Sequence, residues 1–254
     1  MKDLIEAVTD ARKVVMFTGA GVSTDSGIPD YRGTGGQYSR YQPVYFNEFV
    51  AQEEKRREYW AHKASVWPAI RDARPGPAHE LSVALAERGT LRGVITQNID
   101  GLHEKAGLSA RQVVNLHGSN LEVECIDCDR RWPAGEILDP MVSADADTIH
   151  PPRCPDCGGL LKPATVMFGQ SLRPADLSRA EEMVVSCDML LAMGSTLTVQ
   201  PAASFPLFAR HAGATLVIVT RGATPLDAQA DYRIDGDIAP FCRAVLADLH
   251  GGGQ

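Results

Sequence analysis

The chain has 254 residues, 44% of them hydrophobic and 22% charged, with a formal net charge of −7. That composition supports a sizeable core and excludes wholesale disorder, and the acidity excludes a nucleic-acid electrostatic footprint. No run approaches the ~18 uninterrupted apolar residues of a membrane span, and the mixed-charge segment 1–11 reads as neither a secretory signal nor a transit peptide, so a cytoplasmic protein is expected.

Leu4, Ile5, Val8 and Ala11 recur at helical spacing and predict an amphipathic helix over 2–12. Val14-Val15-Met16-Phe17 is a continuous apolar run, the pattern of a strand buried on both faces. Gly19-Ala20-Gly21-Val22-Ser23 follows at once, where a doubly wound sheet places a phosphate against backbone N–H groups and a helix N-terminus. A tight structural turn is the competing reading. Thr24 stands where the third glycine of the dinucleotide fingerprint belongs, and no strand ends in an acid about 20 residues on. Both points disfavour a hydride-transferring dehydrogenase. Gly27-Ile28-Pro29-Asp30-Tyr31-Arg32-Gly33 continues as a surface turn or a lid over a nucleotide, with Arg32 able to hold a phosphate or carboxylate. Residues 36–75 carry Trp60 and Trp67 and look helical without a strand, so they read as an insertion.

The strand–helix rhythm resumes after that. Helices are expected near 77–88, 174–186, 200–212 and 238–249, and strands at 93–96, 113–116, 189–193 and 216–219. Alternation of this kind predicts an α/β fold with a doubly wound parallel sheet. Its strand ends carry polar residues. Thr96-Gln97-Asn98-Ile99-Asp100 faces the ligand crevice or caps a helix. Leu116-His117-Gly118 ends the next run, with His117 a candidate general base or a packed histidine. Met193-Gly194-Ser195-Thr196 ends a fourth, where Ser195 can bond a ribose hydroxyl or phosphate or cap a helix.

Residues 121–163 are rich in Cys, Pro, Gly and Asp and read as a second insertion. Cys125-x-x-Cys128 and Cys154-x-x-Cys157 have the spacing of two metal knuckles, which together make a closed, structural zinc site of four thiolates. Redox pairs or disulfides are the rival readings. The segment also holds nine acids against four bases, so much of the net acidity sits here.

Taken in order, with Phe168-Gly169 added, these motifs resemble the sirtuin family of NAD-dependent protein-lysine deacylases. The match runs along nearly the whole chain. Tyr38-Ser39-Arg40, Tyr59-Trp60-Ala61 and Val66-Trp67-Pro68 are similar to the subgroup with the lipoamidase and ADP-ribosyltransferase type, though Tyr59 and Trp60 also fit a plain helical core. The resemblance implies a Rossmann-like NAD-binding domain (1–35, 76–120 and 164–254), a helical insertion (36–75) and a zinc module (121–163). It implies NAD consumed as co-substrate, one structural Zn2+, and acyl-lysine proteins or peptides as partners. Gly19, Ala20 and Gly21 would hold the pyrophosphate and Ser195 the adenosine end. Gln97 would bind the nicotinamide ribose. Asn98 and Asp100 would shape the nicotinamide pocket, Ile99 would back the carboxamide, and Tyr31 would shield the reacting sugar carbon. His117 would be the base, with Asn98 the second catalytic residue. Ser23, Asp30, Arg32, Gly194, Thr196, Thr220 and Ile238 complete the expected cofactor set, and Val166, Phe168 and Gly169 the peptide and acyl-lysine channel. Thr220 stands where the family usually has Asn, and Gln170 where an acid often follows Phe-Gly. No tyrosine has arginine three residues later, which disfavours succinyl and malonyl substrates. The alternatives are a mono-ADP-ribosyltransferase and a non-catalytic NAD or ADP-ribose binding module.

Overall fold

The computed structural model describes residues 2–31, 36, 41–145 and 148–251. The chain opens with α1 (Lys2–Asp10) and β1 (Val14–Thr18), followed by α2 (Phe46–Ala51), α3 (Glu53–Asp72), α4 (Pro77–Glu87), β2 (Leu91–Thr96), α5 (Leu102–Ala106) and β3 (Val113–Asn115). Next come β4 (Gly118–Cys125), β5 (Arg131–Pro133), α6 (Ala134–Leu138) and β6 (Leu161–Thr165). The last part is α7 (Pro174–Val185), β7 (Met189–Met193), α8 (Phe205–His211), β8 (Thr215–Thr220), β9 (Tyr232–Asp235) and α9 (Ile238–Gly251).

Six strands form one sheet in the order β3-β2-β1-β7-β8-β9, and every pairing is parallel. Period-two alternation sorts the apolar runs onto its two faces. Val14 and Met16 pack with α1, α4 and α9 through Leu4, Leu81 and Phe241. Val15 and Phe17 face α7 and α8 through Val184 and Phe205. Helices on both faces of a parallel sheet make the expected Rossmann-like architecture. The strand order reverses beside β1, so the carboxyl ends of β1 and β7 define the crevice where such sheets take a ligand.

A second, antiparallel sheet, β5-β4-β6, lies between β3 and α7 in sequence. With α2 and α3 it shares a third core, which includes Phe49, Trp60, Trp67, Val123 and Leu161.

The structure refines the local expectations. Residues Ala20–Ser26 form a 3-10 turn, not the start of an α-helix. Thr24 Oγ1 donates to the Gly21 carbonyl (3.0 Å), and Gly27 ends the turn at φ 83°. Ser, Thr and Asp side chains compete with the helical backbone in this way. The helix expected over 200–212 begins as a separate 3-10 turn, and α8 starts with Pro206 in its first turn, where a missing N–H goes unnoticed. Among the described residues no helix is long and apolar enough to cross a membrane.

Candidate active site and metal centre

Two glycine turns meet at the sheet's crevice. Gly19 N–H donates to the Met193 carbonyl (3.0 Å) and Gly21 N–H to the Gly194 carbonyl (2.9 Å). A Cβ on Gly19 would lie 2.7 Å from the Gly194 carbonyl oxygen, and one on Gly21 2.7 Å from the Gly194 Cα. Gly194 itself sits at φ +66°, with its absent Cβ aimed at Val22 N. The glycines are thus required by backbone-on-backbone packing, and the packing leaves the Ala20 face of the turn open to the cleft.

Behind this turn lies a buried polar network. Ser23 Oγ donates to Asp100 Oδ2 (2.8 Å), and Asn98 Nδ2 donates to Ser23 Oγ and the Gly19 carbonyl (3.1 Å each). Leu102 N–H donates to Asp100 Oδ1 (3.0 Å), yet burial still pushes the Asp100 carboxyl above its ordinary range. Ser195 Oγ donates to Gln97 Oε1 (2.8 Å). Gln97 Nε2 is buried and has no partner among the described residues. A buried orphan donor asks for an acceptor, which a hydroxyl of a bound ligand would supply. Backbone crowding at Gly19, Gly21 and Gly194 together with this donor fit a dinucleotide.

His117 follows β3 and is half-buried. Its Nδ1 lies 2.9 Å from the Gln97 carbonyl, which can only accept, so Nδ1 carries the proton and Nε2 keeps the lone pair. Burial lowers its pKa, and the bond to Gln97 opposes that in part. The neutral imidazole is the form a general base needs. Val166 N–H donates to the His117 carbonyl (2.8 Å), which ties the segment after β6 to the histidine. Phe168 is 37% exposed, and its ring centroid lies 5.8 Å from that of Tyr45. Gly169 takes φ +89° beside them.

The remaining expected residues fall around the same crevice or outside it. Tyr31 and Ile99 line a cavity of about 50 Å³ together with Ala20, Ser23, Asn98 and Asp100. Thr220 ends β8 and Ile238 opens α9, both buried, while Thr196 is exposed after Ser195. Asp30 is half-buried in the loop that precedes Tyr31. Arg32 and Tyr38-Ser39-Arg40 lie outside the described residues.

Sequence reasoning missed several groups. His62, Lys63 and Asn120 line the cavity, with Lys63 Nζ donating to Asn120 Oδ1 (2.9 Å). Burial, then the charge of Lys162, lowers Lys63 to about 7. Nothing in the pattern of α3 marks it, because a lysine on a mixed helix usually faces water. His79 and His103 are buried beneath β1, with ring centroids 4.7 Å apart. Ser82 Oγ gives its proton to the His79 carbonyl (2.6 Å), so it accepts from His103 Nδ1 (3.2 Å). His103 Nε2 then accepts from Thr18 Oγ1 (3.1 Å). Trp60 is fully buried in the third core, so it does not reach the cleft.

The four cysteines of the small sheet converge. Their sulfurs all lie within 4.8 Å of one another, with Cys125–Cys157 at 3.5 Å and Cys128–Cys154 at 3.7 Å. Zn–S bonds of about 2.3 Å at tetrahedral angles put sulfurs ~3.8 Å apart, so the set fits one Zn2+ with no open position. All are free thiols, without a disulfide. Each knuckle is closed by the residue after its second cysteine at positive φ: Asp129 (57°) donates to the Cys125 carbonyl, and Gly158 (73°) to the Cys154 carbonyl.

Fold and cleft define a dinucleotide-binding α/β protein carrying a four-cysteine zinc module. Residues 19–201 match the model of the Sir2 family. An NAD-dependent protein deacetylase of Rhodopseudomonas palustris is 41% identical over 238 residues, 94% of this chain and 92% of that protein. Another from Thermotoga maritima is 35% identical over 248 residues, 98% of each. A solved structure described as Sir2-p53 peptide-NAD+ superposes with a TM-score of 0.86 at 33% identity, covering 100% of this chain and 99% of the other. The chain belongs to the Sir2 family.

Proposed function

We propose that this chain is an NAD-dependent protein-lysine deacylase that gives nicotinamide, O-acyl-ADP-ribose and free lysine. The observation that carries the proposal is the bond from His117 Nδ1 to the Gln97 carbonyl, which leaves a neutral Nε2 base on a histidine tied to Gln97, whose own N–H donates to the Thr18 carbonyl just before the glycine turn. The curated relatives are deacetylases and the superposed complex pairs NAD+ with a peptide, which supports the same chemistry.

NAD, when bound, supplies an ADP-ribosyl group whose nicotinamide is the leaving group. The chain's residues bind, orient and move protons around it. Gly19, Ala20 and Gly21 cradle the pyrophosphate, and Ser195 with Gly194, Thr196, Thr220 and Ile238 serves the adenosine side. Gln97 offers its orphan amide to the nicotinamide ribose. Asn98, Ile99 and Asp100 shape the nicotinamide pocket, with Ser23 holding Asp100 in place. Tyr31, Asp30 and Arg32 belong to the loop over the sugar. His117 draws a proton at Nε2, an action worth roughly 10²–10⁴-fold. Val166, Phe168 and Gly169 guide the acyl-lysine toward it. The division into a nucleotide-binding part (1–35, 76–120 and 164–254), a helical insertion (36–75) and a zinc module (121–163) belongs to the same proposal. So does acceptance of acyl groups longer than acetyl, lipoyl included.

The test is purified zinc-loaded protein with NAD and acetyl-, lipoyl- or succinyl-lysine peptides, read by mass spectrometry. O-acyl-ADP-ribose appearing with nicotinamide is expected, and the preferred peptide identifies the acyl group. ADP-ribosylated protein without deacylation would replace the proposal with a transferase. No nicotinamide release across the panel would sink both.

A further inference from the structure

Lys162 is 1% exposed, yet it carries an ammonium into the small sheet. It stands in β6 opposite Glu124, next to a break in the β4–β6 register between Gly118 and Val123. Pro163 follows it and brings no N–H to a ladder. The Lys162 ammonium bridges this irregular stretch. It donates to Glu124 Oε1 (2.9 Å), to the Pro163 carbonyl (3.0 Å) and to the Thr165 carbonyl (2.7 Å), which uses all three of its hydrogens. Glu124 Oε2 also accepts from Arg131 (3.0 Å) and Arg173 (3.2 Å), so the pair belongs to a larger ionic cluster.

Thr165 is therefore held twice, by Lys162 at its carbonyl and by Tyr59 OH at Oγ1 (3.3 Å). The next residue, Val166, is bonded to the His117 carbonyl, and Phe168 accepts from Phe46 N–H (2.9 Å). A shift of Thr165 would pass directly to Val166 and to the histidine. Gly118 limits any relaxation, since a Cβ there would lie 2.0 Å from the Ala164 carbonyl oxygen. Apolar replacement of a buried ion pair is often neutral or stabilising, so a buried lysine is weakly explained by stability alone.

We propose that Lys162 is a positioning residue for the acyl-lysine substrate: it sets the path of residues 163–168 and so the approach of the acyl group to His117. The proposal rests on the deacylase function and its channel residues. Three quantities test it on the zinc-loaded full chain: acyl-peptide affinity by fluorescence anisotropy, NAD affinity, and steady-state KM and kcat. K162M is expected to weaken peptide binding and lower kcat/KM for peptide by about tenfold to 100-fold, the scale of an ångström-size misplacement. NAD affinity and zinc content should stay within about twofold, and K162R should recover most of the loss, since it keeps charge and donors. If K162M does not fold, E124Q decides: it keeps the shape but removes the carboxylate charge that Lys162, Arg131 and Arg173 share, and a peptide affinity about threefold weaker is expected. Unchanged peptide affinity in the variant that folds overturns the proposal. So does a parallel loss of NAD affinity, which marks a scaffold role. Anisotropy needs no turnover, so a wild-type protein that binds acyl-peptide without releasing nicotinamide fails the deacylase function separately.

Discussion

Replacing Gly194 with alanine tests whether the two glycine turns are locked by backbone contact. Gly194 has φ +66°, and an added Cβ would lie 2.6 Å from Val22 N and 2.8 Å from Gly21 Cα. The left-handed conformation costs an L side chain roughly 1–2 kcal/mol. A 2.6 Å approach to backbone forces a shift, and overpacking of that kind costs roughly 1–3 kcal/mol more. The total is about 2–5 kcal/mol, which lowers Tm by about 4–20 °C in a chain of this size. Gly89 supplies the control, with φ +80° and nothing within 4 Å of its Cβ. Gly89→Ala should carry the conformational cost alone, about 2–8 °C. Differential scanning calorimetry with NAD titration reads both effects. Gly194→Ala should melt lower and lose NAD affinity, whereas Gly89→Ala should keep it. Equal melting shifts, or full NAD affinity in Gly194→Ala, would refute the interlock.

His117→Ala should abolish turnover while leaving NAD affinity largely intact, and normal turnover would remove His117 from the base role. Burial lowers the His117 pKa, so the neutral base persists below the usual value of about 6.5. The acid limb of kcat/KM should fall below that pH, and a limb above it would contradict the burial argument. Chelation should unfold the small sheet, because zinc binding supplies about 10–16 kcal/mol in small zinc peptides; an unchanged Tm and protease pattern after verified metal removal would count against it. His79 is lowered to about 4 by burial. The unfolded chain thus binds a proton near 6.5 that the folded one takes up only near 4, so stability should be present above pH ~6.5 and fall across that window. His79→Gln should flatten the slope of urea midpoint against pH there, and an unaltered slope would mean that His79 is not held neutral.

Much of the sheet domain was legible because buried parallel strands are short apolar runs. Met189–Met193 matches its expected bounds, and Val14, Leu91, Val113 and Thr215 begin strands within a few residues of theirs. Strand β9 escaped notice because Tyr232–Asp235 is half-exposed and mostly polar. The small sheet escaped too, since Glu124 and Lys162 pair across it and read as surface charges in one dimension. The cysteine spacing pointed to the metal cluster, whereas the role of Asp129 in closing the first knuckle required its φ of 57°.

The chemistry of the crevice was written in strand-end residues: Gly19, Gly21, Gln97, Asn98, Asp100, His117 and Ser195 stand beside apolar runs that could only be buried. Local order sets which residues end a strand, and parallel pairing then sends those ends to one edge. Partners far apart in the chain were a different matter. Lys63 meets Asn120, Tyr59 meets Thr165, His103 meets Thr18, and Lys162 meets Glu124 only after three cores have packed. Desolvation is a property of that packing, so it turns a lysine or histidine that reads as solvated into a buried group whose charge and direction are set by its neighbours.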